Sequence, residues 1–232
     1  MNIPLSKRLQ VCAGFVAPGD RVADIGCDHG YLSIYLLKNK IAASVIAADI
    51  NEMPLQSARR NADRFAVAEN IRFYLSDGVK SIPRDFDTLV CAGMGADTMV
   101  SILEAAPWLQ DKRYRLVLQC QSKTQLLRQY LSERGWRIAK ETVLRDGRFL
   151  YTVMEVLWQP ETPALTEGQW YFPPALGLDT APELPEYYRQ LRFRLNRAVT
   201  GRGESADPVM LRALEELERY PHLAKEDNND NG

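Results

Sequence analysis

Histidine is nearly absent from this sequence: only His29 and His222 occur in 232 residues. That excludes a histidine-rich metal centre and leaves a Ser-His-Asp triad at most two choices of base. Cysteine is sparse too. Cys12, Cys27, Cys91 and Cys120 each lie in or beside an apolar run, and no two have metal-ligand spacing, so buried reduced thiols and no metal are expected. No run approaches the roughly 20 apolar residues that span a bilayer, so no membrane partner is expected. Met1-Asn2-Ile3-Pro4 has neither the basic nor the apolar stretch of a secretory signal, which with reduced thiols gives a cytoplasmic expectation. Net charge is almost absent as well, at −1. The chain is not basic all over, so any contact with nucleic acid requires positive charge gathered on one face. A charged fraction of 25% beside a hydrophobic fraction of 46% excludes global disorder.

What is present is an alternation of strand-length apolar runs with helical patterns. Strands are expected at 21–26, 44–50, 71–75, 87–92 and 114–119. Helices are expected at 5–16, 31–38, 54–65, 96–105 and 123–134. This order predicts a parallel sheet covered on both faces. After Gly135 the pattern changes to two strands, 136–144 and 149–158, around an Asp146-Gly147 turn. The expected fold is therefore α/β and Rossmann-like, a parallel sheet ending in an antiparallel strand, over residues 1–159. From Pro160, six prolines in 26 residues predict a linker with a few short turns. Helical patterns return at 186–199 and 208–220, joined by the short link Thr200–Glu204, which predicts a small antiparallel helical hairpin or coiled coil. The polar tail from Lys225 is expected to be disordered.

In an open parallel sheet, ligands bind at the carboxyl ends of the strands. The first strand runs into Asp24-Ile25-Gly26-Cys27-Asp28-His29-Gly30-Tyr31, where two glycines four apart make a tight turn. A dinucleotide site wants glycine at position 28, close to a diphosphate; Asp28 would repel it. Asp24 adds a second acid. The loop suits a cationic ligand without phosphate, and S-adenosylmethionine, with its sulfonium and ammonium, is one. Asp49 ends the second strand, where an acid can hold both ribose hydroxyls. Asp77, in Ser76-Asp77-Gly78 after the third strand, can meet an adenine edge. Asp49 could instead cap the next helix, and Asp77 could belong to a simple turn. Three acids at three successive strand ends are more specific than any one of them. The fourth strand ends in Ala92-Gly93-Met94-Gly95, which has no ionisable side chain and none of the Asn/Asp-Pro-Pro-aromatic sequence of adenine N6-methyltransferases. Such a loop fits a nucleophile whose lone pair already lies in the base plane, such as adenine N1.

With Leu5-Ser6-Lys7-Arg8-Leu9, the Asp28-His29-Gly30-Tyr31 and Ala92-Gly93-Met94-Gly95 segments resemble the bacterial tRNA (adenine(22)-N1)-methyltransferase family over residues 1–158. The resemblance implies a Rossmann-like class I methyltransferase domain with a C-terminal coiled coil, S-adenosyl-L-methionine as cofactor, and tRNA as substrate. It implies a cofactor set of Asp24, Gly26, Cys27, Gly30, Asp49, Ile50, Asp77, Gly78 and Ala92. It also implies that Asp28, Gly93 and Met94 are catalytic. Asp28 would either stabilise the cationic methylated base or take a proton from N6. Where the family has Gln-Pro-Asn after the fifth strand, this chain has Gln119-Cys120-Gln121, so only Gln119 carries over.

Positive charge is gathered in one place. Arg189, Arg192, Arg194, Arg197 and Arg202 occur with no acid from Tyr187 to Arg202. Arg189, Arg192 and Arg197 fall near one helical face and suit a phosphate backbone. They could equally be a solvated face matched by Glu215, Glu216 and Glu218. With Arg8, Tyr31 and Gln119 they form the expected substrate-binding set, in a monomer or weak dimer. Three other readings stay open: a class I methyltransferase acting on another RNA site, one acting on a small molecule or protein, and a non-catalytic RNA-binding protein with a retained cofactor pocket. A nicotinamide oxidoreductase is disfavoured by Asp28.

Overall fold

A computed structural model describes residues 3–201 and 207–224. Arg202, most of the Thr200–Glu204 link and the tail from Lys225 lie outside the described residues. Seven strands form one sheet: β1 (Asp20–Ile25), β2 (Ala42–Asp49), β3 (Ile71–Leu75), β4 (Thr88–Met94), β5 (Arg115–Cys120), β6 (Trp136–Asp146) and β7 (Phe149–Trp158). Their order is β3-β2-β1-β4-β5-β7-β6. The first five are parallel, and β7 runs antiparallel to both β5 and β6. Strand order reverses between β1 and β4, the place where such sheets open a crevice at their carboxyl ends.

The helices follow from apolar periodicity and punctuation. They are α1 (Lys7–Gly14), α2 (Tyr31–Lys38), α3 (Glu52–Arg64), α4 (Ala96–Glu104) and α5 (Thr124–Glu133). Ser6 caps α1 by accepting from the Leu9 amide. Side chains alternate along a strand, so each face has its own core. Val22, Val45, Val90 and Val117 pack against α1, α2 and α3. Ala23, Ile46, Leu89 and Leu116 pack against α4 and α5. The same alternation turns Asp24 toward α2 and Gln119 toward α1, which decides what each can touch.

The C-terminal part departs from expectation. In place of a linker there are two short helices, α6 (Glu167–Tyr171) and α7 (Pro174–Gly177). Thr166 and Gln169 form a capping box at the start of α6. The prolines interrupt helices here but do not prevent burial: Phe172 and Leu176 are completely buried. Helix α8 (Leu184–Thr200) and α9 (Pro208–Leu217) complete the unit. They pack together, and the Tyr188 hydroxyl donates to the Leu217 carbonyl at 2.9 Å. Yet α9 has only 10 residues, too few for a free-standing coiled coil, and it also lies against α6. A Cβ on Gly168 would stand 2.5 Å from the Arg212 carbonyl oxygen, so glycine is required for that approach. The result is a four-helix cluster with its own core, seated on Val143 and Leu150 of the β6–β7 hairpin.

Polar ties fasten this cluster to the sheet. Arg128 of α5 and Glu141 of β6 form a buried bidentate pair, with contacts of 2.6 and 3.2 Å. Arg128 Nη1 also donates to the Trp170 and Tyr171 carbonyls at 3.1 and 2.9 Å. Asp179 accepts from the Thr142 hydroxyl and the Val143 amide.

Candidate active site

The strand ends bring four acids into one region. Asp24 is buried and accepts from the Ser33 hydroxyl at 2.6 Å. Burial pushes its carboxyl up to about 6, against the opposing effect of the Ser33 hydrogen bonds. Asp49 is held at both oxygens, accepting from the Asp28 amide at 3.0 Å and the Asn51 amide at 2.9 Å. It both organises the start of α3 and ties down the β1 loop. Its spare lone pairs remain open to a ligand's hydroxyls. Asp28 itself sits at φ +50°, a left-handed conformation that Asp tolerates, with its carboxylate exposed and 3.6 Å from His29 Nε2. Asp77 is exposed and paired with Lys80, above a turn in which Ser76 donates to the Gly78 carbonyl and accepts from the Ser81 amide.

Two adjoining cavities lie along these ends. One, of about 180 Å³, is lined by Asp49, Ile50, Ser76, Asp77, Gly78 and Ile102 among others. The other, of about 260 Å³, is lined by Asp24, Cys27, Asp28, His29, Tyr31, Ala92 and Gly93, with Arg8 and Gln121. Gly26 and Met94 line both, so the two are halves of one cleft. The Met94 side chain lies over Gly26: a Cβ there would stand 2.3 Å from Met94 Cε. Gly30 is different. Its Cβ would collide with Ala58 at 2.9 Å, so this glycine serves the approach of α2 to α3 and lines neither cavity.

The loop after β4 is held from beneath. The Gly93 amide donates to Gln119 Oε1 at 3.0 Å, and Arg8 Nη1 donates to the same oxygen at 2.6 Å. Gln119 is completely buried, and its Nε2 donates to the Cys120 carbonyl. The expectation that Gln119 touches substrate is therefore corrected: it supports the loop. Gln121, two residues on, lines the cleft instead, and its amide donates to the Met94 carbonyl at 2.8 Å. Ser33, which holds Asp24, and Gln121 and Ile102, which line the cleft, were not singled out from the sequence. Arg8 is anchored further by Asp146, which accepts from its amide at 3.4 Å. Arg189, Arg192 and Arg197 line neither half of the cleft. Among the described residues, no carboxylate lies within 4 Å of Arg192 or Arg197, and Glu216 is buried and pairs with Arg219.

This donor set fits S-adenosylmethionine. One half of the cleft offers a fixed carboxylate and an apolar wall to an adenosine, and the other a buried acid to a cationic tail. All four cysteines are free and buried, and burial pushes Cys12 and Cys91 each up to about 12, so none is a ready nucleophile. Among the described residues, no cluster of His, Cys, Asp and Glu could hold a metal ion.

A family model described as a methyltransferase domain matches residues 5–154. The chain belongs to this methyltransferase family. Over 154 residues it is 32% identical to the tRNA (adenine(22)-N(1))-methyltransferase of Bacillus subtilis, covering 66% of this chain and 65% of that enzyme. The chain's match thus spans about two thirds of that relative's length. The crystal structure of the B. subtilis m1A22 tRNA methyltransferase superposes with a TM-score of 0.76 at 26% identity, covering 96% of this chain and 98% of that one. A Streptococcus pneumoniae protein solved in complex with S-adenosyl-L-methionine gives 0.80 at 27% identity, covering 93% and 99%.

Proposed function

We propose that this protein transfers the methyl group of S-adenosylmethionine to N1 of adenine 22 in tRNA. The observation that carries the reading is the acid cleft itself: Asp24, Asp49 and Asp77 line its two halves at adjacent strand ends, beside a loop with no ionisable group. The specific substrate draws support from the likeness to the B. subtilis enzyme, which extends over the appended helices.

When bound, the cofactor supplies an electrophilic sulfonium methyl. The protein's task is then mainly alignment. Asp49 holds the ribose and Ile50 the adenine face, while Asp24 draws the cationic tail into the second half of the cleft. Gln119 fixes the Gly93–Met94 backbone, so that its carbonyl and amide groups can orient the target base with N1 toward the methyl. Methylation makes that base cationic, and the Asp28 carboxylate at the cleft rim offsets the charge. Adenine N1 lies on the pairing edge, so the target nucleotide must leave any pair it makes before reaction.

Arg189, Arg192 and Arg197 are proposed to meet the tRNA backbone outside the cleft. No helix among the described residues is long and apolar enough to cross a membrane. A cytoplasmic location and a monomer or weak dimer complete the proposal. The test is methyl transfer to total unmodified tRNA, followed by nucleoside mass spectrometry. 1-Methyladenosine is expected; a methylated product of any other kind, or none, overturns the reading.

A further inference from the structure

The acid cleft has a cationic neighbour. A groove of about 400 Å³ opens between the β5–α5 loop, β7 and α8, lined by Gln121, Lys123, Tyr151, Tyr171, Tyr187 and Arg194 among others. Gln121 also lines the methyl-transfer cleft, so the two spaces adjoin. Among the described residues, no carboxylate lines the groove. Lys123 at one rim is exposed and pairs with Asp97. Arg194 at the other is exposed, and among the described residues it has no carboxylate within 4 Å. Its helical neighbours at i−7, i−3 and i+4 are Tyr187, Leu191 and Ala198, and all of them line the groove. It therefore faces away from Arg189 and Arg192, with Arg197 one turn further along beside it. The three tyrosines are half-buried and line the groove.

We infer that this groove receives a nucleotide adjoining the target adenine in the RNA strand, its base against the tyrosine rings and its phosphate between Lys123 and Arg194. The inference rests on the reading that the substrate is RNA. A target base pulled out of its helix drags its neighbours from their stack, and an aromatic groove beside the cleft replaces that stacking. It also assigns the appended helices a task at the reaction centre, since α8, with Tyr171 of α6 and Met210 of α9, forms one side of a space whose other side is the β5–α5 loop, α5 and β7.

The test uses the full chain and tRNA transcripts carrying 5-bromouridine on either side of the target adenine. Irradiation is expected to crosslink to peptides containing Tyr151, Tyr171 or Tyr187; crosslinks confined to other surfaces overturn the inference. In parallel, Arg194→Ala should raise KM for tRNA, leave kcat and the S-adenosylmethionine dissociation constant unchanged, and reduce the salt slope of binding by about 0.7. Tyr151→Leu should weaken tRNA binding by roughly five- to a hundredfold, and Tyr151→Phe should restore it, because stacking needs the ring. A wild-type chain that methylates no tRNA removes the parent reading and this one with it. A wild-type chain that methylates tRNA, with Arg194→Ala and Tyr151→Leu indistinguishable from it, removes this one alone.

Discussion

Replacing Asp24 by Asn should make the protein more stable and worse at binding its cofactor. Asp24 is buried, and its carboxyl is pushed from 3.8 up to about 6. An acid whose folded value is raised favours the native state while protonated and loses that advantage as pH rises through the folded value. With those two values, the burial penalty costs about 2 kcal/mol at about pH 5 and about 3 kcal/mol at about pH 8. Asn keeps an acceptor for the Ser33 hydroxyl but carries no charge. Asp24→Asn should therefore gain stability in urea titrations, and the gain should widen by about 1 kcal/mol between those pH values. Calorimetric titration should show the reverse for function. A cationic ligand favours the ionised form, so wild-type affinity should fall about tenfold from neutral pH to about pH 5, and the variant should bind weakly with a flat profile. A variant less stable than wild type at about pH 8, or a stability gap that does not change with pH, refutes the claim that this carboxylate bears a burial penalty for the sake of its ligand.

Other outcomes are expected. Asp49→Ala should weaken S-adenosylmethionine binding by roughly tenfold or more in calorimetry, since hydrogen bonds to a charged group contribute about 1.5–3 kcal/mol. Gln119→Leu, which removes the acceptor shared by Gly93 and Arg8, should lower kcat by about tenfold or more while the cofactor dissociation constant stays within about twofold. Arg128→Met leaves Glu141 buried without its partner and should cost about 3–5 kcal/mol in denaturant unfolding. Arg128→Met combined with Glu141→Leu should recover much of that loss.

Much of the fold was legible because strands and helices here are short, apolar and sharply punctuated. The acids Asp24, Asp49 and Asp77, which line the cleft, could be singled out because a strand end is itself a sequence feature. Gln119 was misjudged, although the signal was available: it lies two residues from Val117, so strand alternation turns it to the same buried face. Ser33 offered a similar clue, a hydroxyl inside the apolar run Leu32-Ser33-Ile34. The role of Gly30 was not legible, because the surface it must approach, Ala58, lies on another helix. Residues 160–183 read as linker because prolines mask periodicity. Phe172 and Leu176, four apart, were the apolar anchors of a unit whose other half lies beyond residue 184.

Arg128 gives that unit a further meaning. Its guanidinium, almost completely buried, grips Glu141 on the sheet and two carbonyls of α6 at once. A pivot needs a seam that can slide, and this seam is nailed through the middle. The appended helices are thereby held at a set offset from the cleft, and on the proposed reading they would act as a caliper, accepting an RNA whose shape spans the gap between α8 and the cleft.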